Sequence, residues 1–273
     1  MRFGGNPLTS LPEVVKNILI INVLMLLATF VAAQSGVNLN EILGLHHWSS
    51  DKFKIYQLVT YMFMHGGFMH LFFNMFAVWM FGKVLEEVWG SKRFLIFYMV
   101  TGIGAGLVQM VVNSIDLGML ESAIETYAQN PTPAAFEAFI DANVPSYYEG
   151  SFREIVRQWV LNPGATGYMM DSVAISRELL ELKRDTVTVG ASGSVFGVLL
   201  AFGMMFPNVQ LMLLIPPIPL KAKYFVILYG LMELYLGISR NPTDNVAHFA
   251  HLGGMLFGFI LIMYWRKNTS NYF

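Results

Sequence analysis

Charge disappears from the chain in five long stretches. No Asp, Glu, Lys or Arg occurs in 17–40, 55–82, 94–115, 186–220 or 245–265, and a further apolar run, 224–239, is interrupted by Glu233 alone. A bilayer core ~30 Å thick is crossed by ~20 helical residues, each rising ~1.5 Å. A soluble domain can bury one such helix in its core, but not six. The pattern predicts an all-α fold: a polytopic membrane helix bundle with transmembrane helices near 17–35, 63–82, 94–113, 188–206, 223–239 and 246–265. The first run ends in Val31-Ala32-Ala33, a faint signal-peptidase pattern. Its length, Glu13 ahead of it and the membrane character of the rest favour a retained helix.

The segments between these runs differ in kind. Residues 36–62 mix apolar and polar positions, among them His46, His47, Trp48 and Tyr56, which suits a structured, partly inserted loop at the outer face. Pro216-Pro217-Ile218-Pro219 is incompatible with helix interior and marks an inner loop. Residues 114–186 hold eleven acidic residues against five basic, with breaks at Asn130-Pro131 and Asn162-Pro163-Gly164. Between the breaks, Val173, Ile175, Leu179, Leu180 and Leu182 recur at helical spacing. With Phe136, Phe139, Tyr147, Tyr148 and Trp159 they predict a mostly helical extramembrane insertion. The organisation expected is one six-helix domain, 1–273, carrying the insertion 114–186.

Composition adds three constraints. The chain is 55% hydrophobic and 13% charged with a net charge of −1, so nothing in it attracts nucleic acid. It has no cysteine, which excludes disulfides, thiolate metal sites and a Cys nucleophile. Nine Lys and Arg fall in four short segments on one side of the predicted bundle: Arg2 and Lys16; Lys83, Lys92 and Arg93; Lys221 and Lys223; Arg266 and Lys267. The other side carries Lys52, Lys54 and Arg240, besides those in the long insertion. That bias predicts both termini in the cytoplasm and the insertion outside.

Polar groups inside the apolar runs are candidates for chemistry, because they are costly there. The fourth run opens with Gly190-Ala191-Ser192-Gly193-Ser194-Val195-Phe196-Gly197. Small residues at this spacing ordinarily mean close helix packing. Ser192, however, sits at the water-reachable end of its helix, where N–H groups lack intrahelical partners and can face an oxyanion. Gly193 beside it would leave room for a substrate backbone. The sixth run carries His248 and His251, the latter on one helical face with Gly254 and Gly258. That face would bring His251 against the Ser192 helix. His248, one turn nearer the outer surface, is the competing base. In the second run His70 and Asn74 are four apart and project from one face. They either bond each other or supply donors that only a developing oxyanion satisfies.

Together the HxxxN of His70 and Asn74, the GxSGxxxG around Ser192 and the AHxxGxxxG around His251 resemble the rhomboid family of intramembrane serine proteases, in its bacterial type, over residues ~15–113 and ~186–265. The resemblance implies Ser192 as nucleophile and His251 as general base. It implies an oxyanion hole of His70, Asn74 and the Ser192 N–H, and Phe196 stacked on the catalytic imidazole. The Trp-Arg pair common in the family's first loop stands here as Tyr56-Gln57. Spans two, four and six hold no Asp or Glu, and only Glu233 and Asp244 lie near the outer ends, so a Ser–His dyad oriented by packing is expected. The implied activity is hydrolysis of peptide bonds in or near transmembrane segments of membrane proteins, through an acyl-enzyme and without metal or cofactor. The expected location is a bacterial cytoplasmic (inner) membrane, with the site opening outward.

Three other classes of protein fit the sequence less well. A rhomboid-like binding protein without catalysis would lack the serine or the histidine, and this chain has both. A transporter or channel would show charged or repeated pore-lining residues. A metalloprotease needs an HExxH-like set, and no carboxylate accompanies His248 and His251 on their own helix.

Overall fold

The computed structural model describes residues 11–144, 149–165, 167–212, 217–239 and 246–268. Arg2, Tyr147, Tyr148, Pro216, Arg240 and Asp244 lie outside the described residues.

Helix α1 (Glu13–Gln34) is followed by a loop holding α2 (Leu39–Leu43) and α3 (Gln57–Thr60). Helix α4 (Phe68–Ala77) passes through a π-helical stretch, Val78–Gly82, into α5 (Lys83–Trp89). Then come α6 (Ser91–Gln129), α7 (Pro133–Asn143), α8 (Glu149–Leu161) and α9 (Gly167–Arg184). Helix α10 (Ser192–Met205) leads into a short antiparallel pair, β1 (Gln210–Met212) and β2 (Pro219–Lys221), which turns the chain into α11 (Ala222–Ser239) and α12 (His248–Asn268).

Among the described residues, five helical segments are long and apolar enough to cross a membrane: Glu13–Gln34, Phe68–Trp89, Ser91–Gln129, Ala222–Ser239 and His248–Asn268. The fourth expected span differs. Helix α10 has 14 residues, ~21 Å at ~1.5 Å each, and starts at Ser192 because the residues before it are drawn into loop pairing. Thr188 exchanges both backbone hydrogen bonds with Leu45, and the Gly190 N–H donates to Tyr61 O at 2.9 Å.

Helix α10 is the most enclosed element, buried at ten of its positions and packed chiefly between α6 and α12. Glycine makes that closeness achievable. A Cβ at Gly254 of α12 would lie 1.9 Å from Gly193 O of α10. The periphery is apolar instead of polar. Ile20, Leu24, Leu27 and Val31 on α1, Phe72 and Trp79 after α4 begins, and Ile227, Leu231 and Tyr235 on α11 are all exposed. Apolar surface of that extent requires a nonaqueous surrounding, so this is an integral membrane protein.

Two buried polar side chains brace the bundle. Glu86 of α5, 2% exposed, accepts from the N–H groups of Val14 and Val15 at 2.9 and 2.8 Å and from Ser91 Oγ at 2.7 Å. It thereby fills the open N-terminus of α1. Gln57 donates to Ile42 O and Lys52 O and accepts from the N–H groups of His46 and Lys54. Loop 36–62 is thus folded around Gln57.

The insertion is helical, but the third expected span does not end at 113: α6 continues unbroken to Gln129. Leu120, Ile124 and Tyr127 on that extension form a separate core with Phe136, Phe139, Ile140, Phe152, Val156, Trp159, Leu179 and Leu180. Helices α7 and α9 pack on α6, and α8 packs on α7 and α9. At its base, Ser114 Oγ meets His47 Nε2 at 2.7 Å, and Asp185 bonds Lys52 Nζ at 2.9 Å and Ser50 Oγ at 2.7 Å. Lys52 and Ser50 hold the Asp185 carboxyl below the usual carboxylate range.

Candidate active site

Four helix segments converge at one end of the bundle. Ser192 is the first residue of α10 and His251 the fourth of α12. The Ser192 Oγ lies 2.9 Å from His251 Nε2. That distance is set by the helix contact at Gly193 and Gly254, so a packing motif fixes a chemical one. Gly193 itself serves this packing: a Cβ there would meet Ala105 Cβ of α6 at 2.4 Å. It does not open a path for substrate backbone, as the sequence suggested.

Phe196, one turn below Ser192, stacks on the His251 ring with centroids 4.2 Å apart and planes within 8°. Ser194 is turned away from the site and donates to Tyr98 O of α6 at 2.7 Å. Its bond therefore joins two helices instead of closing within its own.

His70 stands on the other side of Ser192. Its Nδ1 accepts from the Gly66 N–H at 3.4 Å, which in a neutral ring leaves the hydrogen on Nε2. The ring lies against Gly190, whose φ of +130° favours glycine and where a Cβ would sit 2.8 Å from His70 Nε2. Asn74 is buried, and its Nδ2 has no hydrogen-bond partner. The bland alternative, a mutual His70–Asn74 bond, is therefore absent among the described residues. Both ring nitrogens of the neighbouring His65 also lack partners, and its ring meets His70 edge-on at 5.0 Å.

One residue was undervalued in the sequence. Glu233 of α11, 4% exposed, places Oε2 2.8 Å from His251 Nδ1 and 2.6 Å from His248 Nδ1. The expectation that His251 has no carboxylate partner is thus overturned. The helices named in that expectation carry none, but α11 supplies one from the side. The signal was present: a single carboxylate interrupting an otherwise apolar run is costly unless partnered. His248 does not compete for Ser192 but shares the Glu233 oxygen.

Glu233, His248 and His251 offer three ligand atoms within 4.8 Å of one another, so these residues could hold a divalent ion. Their 2.6 and 2.8 Å separations are hydrogen-bond distances. Ligands ~2.0–2.1 Å from a tetrahedral zinc would stand further apart.

The chain is thus an all-α membrane bundle in which a serine hydroxyl meets an imidazole. Residues 52–118 and 160–268 match the Rhomboid domain family, and the chain belongs to the rhomboid family. It is similar to Rhomboid-like protein 11, chloroplastic, of Arabidopsis thaliana, with 39% identity over 66 residues, 23% of this chain and 24% of that protein. It is also similar to Rhomboid protease GluP of Bacillus subtilis (strain 168), with 32% identity over 76 residues, 28% of this chain and 14% of the relative. A third relative is Rhomboid protease GlpG of Salmonella choleraesuis (strain SC-B67), 29% identical over 80 residues, 28% of this chain and 29% of that one. The chain thus spans less than a third of the length of each of these relatives.

Proposed function

We propose that this protein is an intramembrane serine endopeptidase that cleaves peptide bonds in or near transmembrane segments of other membrane proteins. The observation that carries the reading is the 2.9 Å contact between Ser192 Oγ and His251 Nε2; on α4, the Asn74 amide is a buried donor without a partner among the described residues. Rhomboid proteases among its relatives support the same reading.

In this mechanism His251 Nε2 takes the Ser192 proton as Oγ attacks the substrate carbonyl carbon. Negative charge gathers on the carbonyl oxygen, where His70 Nε2–H, Asn74 Nδ2–H and the N–H of Ser192 at the helix start stabilise it. The C–N bond breaks, the imidazolium returns its proton to the leaving amine, and an acyl-enzyme remains on Oγ. Water, deprotonated by His251, then releases the new carboxylate. Phe196 holds the imidazole plane. The six-span topology, with termini in the cytoplasm of a bacterial inner membrane and the site opening outward, rests on the placement of Lys and Arg.

The test is labelling of the purified protein with a fluorophosphonate probe, mapped by mass spectrometry, alongside cleavage of a transmembrane reporter. Adduct formation on Ser192 and reporter cleavage are expected. A folded protein that neither labels nor cleaves would leave the reading without support, and an adduct on Ser194 would reassign the nucleophile.

A further inference from the structure

The dyad mechanism leaves one buried carboxylate without a task. Glu233 is nearly sealed from solvent, and an ion in such a place is retained only with partners that stabilise it. Its partners are specific: one oxygen, Oε2, faces the Nδ1 atoms of two histidines at 2.6 and 2.8 Å. One of those histidines carries the Nε2 that meets Ser192.

A base must present a lone pair at Nε2, so its proton must reside on Nδ1. Stacking on Phe196 fixes the plane of the ring, at 8° between the two. It does not choose which edge faces Ser192, nor which nitrogen carries hydrogen, because an aromatic face is blind to both. A carboxylate oxygen on Nδ1 chooses both. It accepts only from N–H, so it selects the Nδ1–H tautomer and opposes rotation of the ring in its plane. When the Ser192 proton arrives at Nε2, the imidazolium forms with its counter-charge already in place and little water to screen it. The second bond, from His248 Nδ1, would hold the carboxylate at the height of His251 as α11 and α12 move.

We propose that Glu233 is a positioning residue that extends the Ser192–His251 pair to a Ser–His–Glu relay, with His248 as the donor that anchors the carboxylate. The inference rests on the endopeptidase reading but goes beyond the expected dyad.

The experiment uses the full chain in detergent or liposomes, with wild type, Glu233→Gln, Glu233→Asp, His248→Ala and His251→Ala. Three quantities are measured: kcat and KM on a transmembrane reporter, the thermal midpoint, and 15N spectra of the imidazole nitrogens. Glu233→Gln presents an amide that can donate to Nδ1 and so admits the wrong tautomer. It is expected to lower kcat by up to about 10,000-fold, the loss seen when the acid of a Ser-His-Asp triad is neutralised, with KM nearly unchanged. Glu233→Asp should recover part of the loss, and His248→Ala should give a smaller drop. In wild type, His251 should show a protonated Nδ1 and a bare Nε2, and Glu233→Gln should move population to Nε2–H.

A Glu233→Gln protein with kcat within threefold of wild type would overturn the proposal while leaving the peptidase reading intact. So would a wild-type His251 protonated at Nε2, a measurement that needs no variant and stands even if Glu233→Gln fails to fold. A wild type that neither cleaves nor labels is a different failure, that of the endopeptidase reading.

Discussion

Ser192 and Ser194 are two residues apart and therefore ~200° apart around one helix, and their partners divide accordingly. Ser192 Oγ meets an imidazole, whereas Ser194 Oγ holds Tyr98 O across to α6. Ser192→Ala is expected to abolish reporter cleavage with the fold intact. Ser194→Ala should leave most of the activity and cost about 1 kcal/mol of stability, the net worth of one hydrogen bond; loss of cleavage from Ser194→Ala alone would refute this division. Asn74→Ala removes a donor that is unspent in the resting site. Its kcat should fall about 100- to 1000-fold, and unchanged kcat would make Asn74 structural. Ser192, His251, His70 and Asn74 stood out as polar residues inside apolar runs, whereas Phe196, one of 22 phenylalanines, was marked only by the family resemblance. Glu233 was visible as a residue but not as a partner, because its pairing crosses from α11 to α12 and no spacing along the chain encodes that distance.

At the scale of elements, spans read from hydropathy and helices formed by the backbone are not the same objects. The third apolar run ends near 113, but Asn113, Ser114 and Asp116 are as compatible with helix as the residues before them, so α6 continues to Gln129. Leaving the membrane changes solvent, not backbone geometry. The breaks that did end helices, at Asn130-Pro131 and after Leu161, were legible because proline and glycine act on the backbone itself. Glu86 makes the complementary point: it looks like an ordinary charge at a membrane edge, yet it is buried under the N-terminus of α1. Glu86→Ala would orphan two helix N–H groups and is expected to destabilise the protein by about 1–3 kcal/mol. Glu86→Gln, which keeps a single carbonyl oxygen as acceptor, should fall between. Chemical unfolding in detergent measures both, and equal stability of all three proteins would show that α1 does not depend on this cap. The insertion's tether should respond to acid. Because Lys52 and Ser50 lower the Asp185 pKa, the stabilisation from this partly exposed pair is complete above the ordinary carboxylate value of about 4. It is lost as pH falls through the lowered one.

Taken whole, the molecule has two cores, both of which reach α6. One, around Phe94, Phe97, Tyr98, Val198 and Phe202, holds the helices that carry the site. The other lies among α6, α7, α8 and α9, and the family match passes over residues 119–159 inside it. The insertion packs on α6 and on itself, while Ser114 and Asp185, at its root, hold the first loop. The bundle that carries the proposed site should therefore not need the second core. A chain in which a short Gly-Ser linker replaces residues 119–182 keeps both root residues and is expected to fold and to cleave a generic reporter with kcat within about threefold of the full chain, since none of the site's partners is removed. Loss of cleavage in a folded variant would mean that the insertion supports the site through loop 36–62. Its side of the membrane can be read from cysteines introduced at Arg157 and Glu178, both exposed; Ser172 is unsuitable, being buried and bonded to Tyr127. Both should react with a membrane-impermeant maleimide in intact cells. Protection of both until lysis would put the second core in the cytoplasm, and with it the end of the bundle where Ser192 lies.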